Sequence, residues 1–106
     1  MKAVVVCEDK KVIIKDIPVC RVSDYDVLCE NLCGALCTGT DLDIIDGRLN
    51  GISYPTVLGH ESIGRVIEVG RKVRNYSIGD IVTSPGVPES MELGLFSNWG
   101  GLAEYG

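Results

Sequence analysis

Short runs of β-branched residues, each bounded by turn residues, are the feature that most restricts what this chain can fold into. Lys2–Val6 and the run at residues 12–17 flank the polar turn Glu-Asp-Lys-Lys and predict an N-terminal β-hairpin that Pro18 ends. Three further runs predict strands of the same kind, and short strands at this spacing favour a barrel or a sandwich. These further strands are predicted at residues 26–35, Glu61–Val69 and Ile81–Thr83.

One short helix and one long loop complete the predicted, mainly β organisation. The helix is expected at residues 40–45, with Thr40 or Asp41 as its N-cap and Gly47 at its end. From residue 84 to residue 100 the strand pattern fades into a loop that is longer than compact domains usually carry. No Gly-x-Gly-x-x-Gly follows a strand, so we expect no Rossmann unit in this sequence. A strand-like segment has barely begun at the last residues, which suggests that the chain is truncated.

Composition and charge indicate which kinds of molecule the chain is not expected to bind. The chain has 106 residues, 45% of them apolar, which is enough for one compact domain. Ten basic and fifteen acidic residues give a net charge of −5, and the basic residues are scattered, so we expect neither nucleic acid nor a membrane as partner. No apolar stretch approaches the roughly 20 residues needed to span a bilayer, and no signal-peptide core is present, which predicts a cytoplasmic protein.

The five cysteines are expected to be free thiols or metal ligands, because the sequence carries no secretory signal. Cys29 and Cys33 lie four residues apart on a predicted strand, so their side chains should share one face, and core packing is the favoured interpretation for both. Cys37 differs, because it opens a segment that mixes hydroxyl, acidic and apolar residues.

His60 is the only histidine, and it stands between Gly59 and Glu61. A lone histidine is more often structural than a ligand. However, the thiolate of Cys37, an imidazole and a carboxylate are the ligand types that Zn²⁺ prefers, and three protein ligands leave one position open for chemistry. The wide separation of Cys37 and His60 fits a catalytic site better than a structural zinc finger, whose ligands come in close pairs.

Four sequence blocks occur in an order that resembles one known family. They are residues 35–47, the Gly-His-Glu at 59–61 that runs into Ile-Gly-Arg-Val-Ile-Glu-Val-Gly, the Gly-Asp-Ile-Val at 79–82, and the Gly-Gly-Leu-Ala-Glu-Tyr at 100–105. Together they resemble the N-terminal catalytic domain of zinc-dependent medium-chain alcohol and polyol dehydrogenases. The resemblance implies that residues 1–106 form a GroES-like, partly open β-barrel with one short helix, a catalytic-domain fragment without the Rossmann domain.

The resemblance also implies roles for individual residues. Cys37 and His60 would be zinc ligands, and Glu61 would be an alternative ligand or a partner that supports the site. Thr40, or else Thr38, would hydrogen-bond the substrate hydroxyl, and the position next to Asp41 favours Thr40. The third ligand and the NAD or NADP site would lie beyond Gly106, in a homo-oligomeric enzyme that transfers hydride from a small alcohol, polyol or sugar. The isolated fragment would be inactive.

Two departures from the family pattern bear on function. Many members place a proton-relay histidine where this chain has Asp43, and no cysteine follows Cys37, so the four-cysteine structural zinc lobe is replaced by the loop at residues 84–99. Asp43 near Thr40 and Asp41 favours a hydroxyl-rich polyol or sugar, because buried polar groups need hydrogen-bond partners. A solvated helix start is nevertheless the favoured interpretation of Asp43 and Asp46, and it stays open for Asp41.

A non-catalytic function stays open at this stage. A GroES-like β-barrel that serves as a binding or structural module, such as a co-chaperonin subunit, would explain the short chain but would leave Cys37, His60 and Glu61 without a role. A degenerate product that folds without function is a third alternative.

Overall fold

The computed structural model describes residues 1–88 and 99–106, and these form two small antiparallel sheets with one short helix. No helix in these two ranges is long and apolar enough to cross a membrane. The elements follow one another as β1 (Lys2–Val6), β2 (Val12–Asp16), β3 (Val27–Ala35), α1 (Thr40–Asp46), β4 (Thr56–Val57), β5 (Glu61–Val69) and β6 (Ile81–Thr83).

The first sheet contains the predicted N-terminal hairpin. β1 and β2 pair antiparallel from Lys2 opposite Asp16 to Val6 opposite Val12, and Lys10 in the connecting turn has a positive φ of 67°. β4 pairs with the other edge of β1. The sequence did not predict this strand, because two residues are too few to show an alternating pattern.

The second sheet has the order β3-β5-β6, and every pair in it is antiparallel. The prediction that Cys29 and Cys33 share a buried face is wrong, since Cys29 is buried and Cys33 is exposed. The register explains the difference: Asn31 lies opposite Gly64 and Cys33 opposite Ile63, so Leu32 is an extra residue on β3. This β-bulge reverses the alternation of side chains and turns Cys33 outward.

The segment from Gly100 to Gly106 joins the two sheets. Its first part bonds to β1, where Val4 donates to the Leu102 carbonyl at 2.9 Å and Glu104 donates to the Lys2 carbonyl at 3.0 Å. Its last part bonds to β3, where Asn31 donates to Glu104 at 2.9 Å and Cys29 donates to Gly106 at 2.7 Å. The predicted mainly β, partly open barrel is confirmed, and among the described residues no parallel βαβ unit occurs.

The helix begins and ends close to the predicted residues, but its N-cap differs. Gly39 is the N-cap, and no side chain caps the helix, so the prediction of Thr40 or Asp41 in that role is wrong. Gly47 ends the helix with a left-handed φ of 72°, as predicted. The apolar side of α1 contributes Ile44 to a fully buried cluster with Val6 and Leu58. We call this group the Ile44 cluster.

Candidate metal centre

Cys37, His60 and Glu61 come together in the fold. Cys37 lies in the loop between β3 and α1, His60 directly precedes β5, and Glu61 is the first residue of β5. One ligand atom from each residue lies within 4.8 Å of the other two. Two ligands of a tetrahedral zinc ion at about 2.0 to 2.3 Å lie under about 4 Å apart. Small side-chain rotations would therefore bring the three groups to one ion, and the thiol, imidazole and carboxylate fit Zn²⁺.

The imidazole of His60 lies between two carboxylates. Its Nδ1 is 3.8 Å from Oδ1 of Asp41, and its Nε2 is 3.8 Å from Oε1 of Glu61. Nδ1 and the facing Asp41 oxygen are buried, and neither has a hydrogen-bond partner within residues 1–88 and 99–106. Buried polar atoms are nearly always hydrogen-bonded, so a small shift would allow Asp41 to accept a hydrogen bond from Nδ1–H of His60. Nε2 would then be the nitrogen available to a metal.

Asp41 is fully buried, and it connects two of the candidate ligands. Its second oxygen, Oδ2, accepts a hydrogen bond from the backbone N–H of Cys37 at 2.8 Å. One carboxylate therefore faces both Cys37 and His60, which are 23 residues apart in the sequence and on different elements. Nothing in the sequence indicates this double contact.

Hydrogen bonds from the start of α1 stabilise the thiolate of Cys37. The backbone N–H of Thr40 is the largest influence that lowers the pKa of this thiol, followed by the Thr40 hydroxyl and the backbone N–H of Gly39. Burial and the negative charge of Glu61 oppose this shift. The structure thus places Thr40 directly against Cys37, whereas Thr38, the other candidate, is exposed and contributes nothing to this shift.

A surface cavity of about 400 Å³ opens beside the candidate ligands. His60 and Glu61 form part of its wall, and both apolar and polar residues on or next to β3, β5 and β6 form the rest. These neighbours include Cys33, Ser62, Thr83 and Ser84.

The other acidic residues of α1 lie at the surface. Asp43 and Asp46 both form ion pairs with Arg48, at 2.9 Å and 2.8 Å. The Asp43 carboxylate therefore has a partner away from the cluster of candidate ligands, and the solvated interpretation of these two residues holds. The sequence-based argument that Asp43 selects a polyol substrate loses its structural basis.

Comparison with known proteins agrees with this fold. Residues 23–106 match the family model of the alcohol dehydrogenase GroES-like domain. The chain belongs to this family. Its relatives are zinc-type medium-chain alcohol dehydrogenases, of which the chain corresponds to the N-terminal part.

Among curated relatives, glucose 1-dehydrogenase 1 of Vulcanisaeta moutnovskia is 42% identical over 88 residues, covering 77% of this chain and 24% of that protein. The chain thus spans about a quarter of the length of this relative. Among solved structures, galactitol-1-phosphate dehydrogenase from Escherichia coli matches with a TM-score of 0.77 and 29% identity over 99% of this chain and 35% of its own. A protein assigned as a zinc-binding dehydrogenase, from Sinorhizobium meliloti and bound to NADP, gives a TM-score of 0.72 and 27% identity over 80% of this chain and 24% of its own.

Proposed function

We propose that residues 1–106 are the GroES-like catalytic portion of a zinc-dependent, NAD(P)-linked dehydrogenase that oxidises an alcohol, polyol or sugar. The observation that supports this most is the convergence of Cys37, His60 and Glu61 from separate elements to within 4.8 Å. Membership of the alcohol dehydrogenase GroES-like domain family supports the reaction class. A non-catalytic barrel would have no need for this convergence.

In this proposal Cys37, His60 and Glu61 hold Zn²⁺, and Asp41 fixes the ring of His60. When bound, Zn²⁺ supplies Lewis acidity that lowers the pKa of an alcohol oxygen towards neutrality. The hydroxyl of Thr40 donates to Cys37 and keeps lone pairs that can accept the proton of the substrate hydroxyl. Thr40 can therefore orient the alcohol, and it would relay the proton towards solvent by turning its own O–H from Cys37 to a water molecule as it accepts the proton of the substrate.

Hydride transfer needs a nicotinamide held at the reacting carbon, and a second domain of the full-length protein would supply it. The relative from Sinorhizobium meliloti is bound to NADP, and the glucose and galactitol-1-phosphate relatives support a hydroxyl-bearing substrate. We expect residues 1–106 alone to be inactive for this reason. We also expect the complete enzyme to be a cytoplasmic homo-oligomer.

The zinc content of the purified chain tests the proposed site. Wild type should contain zinc, and Cys37→Ser and His60→Ala should abolish binding because each removes a ligand. Cys33→Ser is the matched control, since Cys33 lines the same cavity but lies outside the cluster of candidate ligands. Equal zinc content in wild type, Cys37→Ser and His60→Ala would refute the assignment.

A further inference from the structure

Ser84 and Trp99 both contact His60, although residues 89–98 between them, which make up most of the predicted loop, lie outside the described residues. The hydroxyl of Ser84 donates a hydrogen bond to the backbone carbonyl of His60 at 2.7 Å. The indole of Trp99 lies against the imidazole, with ring centroids 5.2 Å apart and planes tilted by 48°. This separation lies within the range of about 4.5 to 7 Å found for interacting aromatic pairs. Ser84 therefore contacts the backbone of His60, and Trp99 contacts its ring.

Ser84 adopts an unusual backbone conformation to make its contact. Its φ is 51°, in the left-handed region that residues other than glycine rarely occupy. Its backbone N–H donates to the Ser62 carbonyl at 2.8 Å, while its side chain bonds to His60. A strained residue of this kind persists only where the surrounding structure determines it, and such residues concentrate at functional sites.

The backbone around Trp99 is fixed just as closely. The carbonyl of Trp99 accepts a hydrogen bond from the backbone N–H of Val87 at 3.1 Å, which joins the described residues before and after positions 89–98. Gly100 and Gly101 both donate to the carbonyl of Gly59, the residue before His60, at 3.1 Å and 2.8 Å. A Cβ on Gly100 would collide with Val87, so only glycine permits this approach. The Trp99 side chain packs on the Ile44 cluster.

We propose that Ser84 and Trp99 are positioning residues that hold His60 in its ligand orientation, an inference that rests on the proposed metal site. Ser84 fixes the backbone from which the ring extends, and Trp99 restricts rotation of the ring. Together with Asp41 at Nδ1, they leave Nε2 directed towards Glu61. Metal sites require ligands held within fractions of an ångström, which a freely rotating imidazole does not provide.

The metal-free chain tests the positioning directly, because His60 and Trp99 are the only histidine and the only tryptophan. NMR of the imidazole should show one ring orientation in the wild type, with ring protons shifted by the indole and with nuclear Overhauser contacts to Trp99. Trp99→Leu and Ser84→Gly should broaden or average these signals, whereas Trp99→Phe should preserve one orientation. Glycine adopts the φ of Ser84 without strain, so Ser84→Gly removes the hydroxyl while favouring the fold. An ordered, unchanged ring in Trp99→Leu and Ser84→Gly would overturn the proposal.

Metal affinity gives the second readout, with Co²⁺ as the probe and its thiolate absorption band as the signal. We expect Trp99→Leu and Ser84→Gly to bind Co²⁺ about tenfold more weakly, and Trp99→Phe to stay within about twofold of the wild type. Leu49→Ala is the control for a general loss of packing, because Leu49 follows α1 and packs on the same Ile44 cluster as Trp99. Unchanged affinity in Trp99→Leu and Ser84→Gly overturns the positioning role. A wild type that binds no Co²⁺ contradicts the proposed metal site instead, and the NMR comparison then decides the positioning role.

Discussion

Oδ1 of Asp41 lies 3.8 Å from Nδ1 of His60, and the other oxygen of the same carboxylate accepts a hydrogen bond from Cys37. A carboxylate behind a histidine ligand fixes the tautomer and orientation of the ring and raises its basicity. Asp41 is completely buried, although carboxylates rarely are unless they are paired. Its position is therefore explained by the two candidate ligands that it connects.

Replacing the Asp41 carboxylate should weaken zinc binding more than it disturbs the fold. Asp41→Asn keeps the shape of the side chain but removes its charge, and loss of such a partner typically costs about 10-fold to 100-fold in metal affinity. Competition with a chromophoric chelator measures the change. Asp43→Asn is the matched control, because Asp43 is paired with Arg48 at the surface and should not alter affinity. Wild-type zinc affinity in Asp41→Asn would contradict the assigned role.

The contact of Thr40 with Cys37 predicts a change in thiol reactivity. Thr40→Val removes the hydroxyl that donates to the sulfur, so the pKa of Cys37 should rise and the thiolate fraction at neutral pH should fall. Alkylation of the metal-free chain by iodoacetamide, followed by mass spectrometry, should therefore be slower at Cys37. Thr40→Ser should react like the wild type, and the exposed Cys33 provides an internal reference. A Thr40→Val variant that is alkylated as fast as the wild type would show that the hydroxyl does not act on Cys37.

The sequence predicted the elements whose signals are local. Glu61–Val69 was predicted with its observed bounds, because a segment rich in β-branched residues between turn residues is a local signal for a strand. Gly47 was predicted as the helix end for the same reason, since only the local backbone decides it. The bulge at Leu32 arises from the register in which β3 pairs with β5. That pairing joins distant segments, so no local sequence pattern indicates the bulge. The orientation of Cys33 therefore could not be predicted.

The candidate ligands were recognised from residue types and from the family resemblance, but the groups around them were not. Ser84 and Trp99 contact His60 across 24 and 39 positions of sequence. No local pattern indicates which side chain Trp99 contacts. Such contacts depend on how Gly59 and Gly100 bring two segments together, which only tertiary packing determines.

The ion pairs of Asp24 predict a dependence of stability on pH. Hydrogen bonds from Arg71, and next from Lys72, lower the pKa of the Asp24 carboxyl below its ordinary value. A carboxyl group whose pKa is lowered in the folded state stabilises the fold above its unfolded pKa, and this contribution is lost as the pH falls through the folded pKa. Asp24→Asn should therefore lower Tm at pH 7, and the difference from the wild type should vanish at strongly acidic pH. High salt should reduce the difference at pH 7, because the two cationic partners are largely exposed. An equal Tm difference at both pH values would show that charge is not its cause.

The close approach of Gly101 to β5 should make that position intolerant of any side chain. A Cβ added at Gly101 would collide with the Ser62 side chain and lie 3.1 Å from the Gly59 carbonyl, in the segment that joins the two sheets. Overpacking of this kind typically costs about 1 to 3 kcal/mol, so Gly101→Ala should lower the free energy of unfolding by roughly that amount. Gly39→Ala is the comparison, since an added Cβ there meets nothing within 4 Å and only the weaker preference for glycine over alanine at an N-cap is lost. Urea denaturation of the two variants measures both changes, and a Gly101→Ala variant as stable as Gly39→Ala would mean that the segment moves aside.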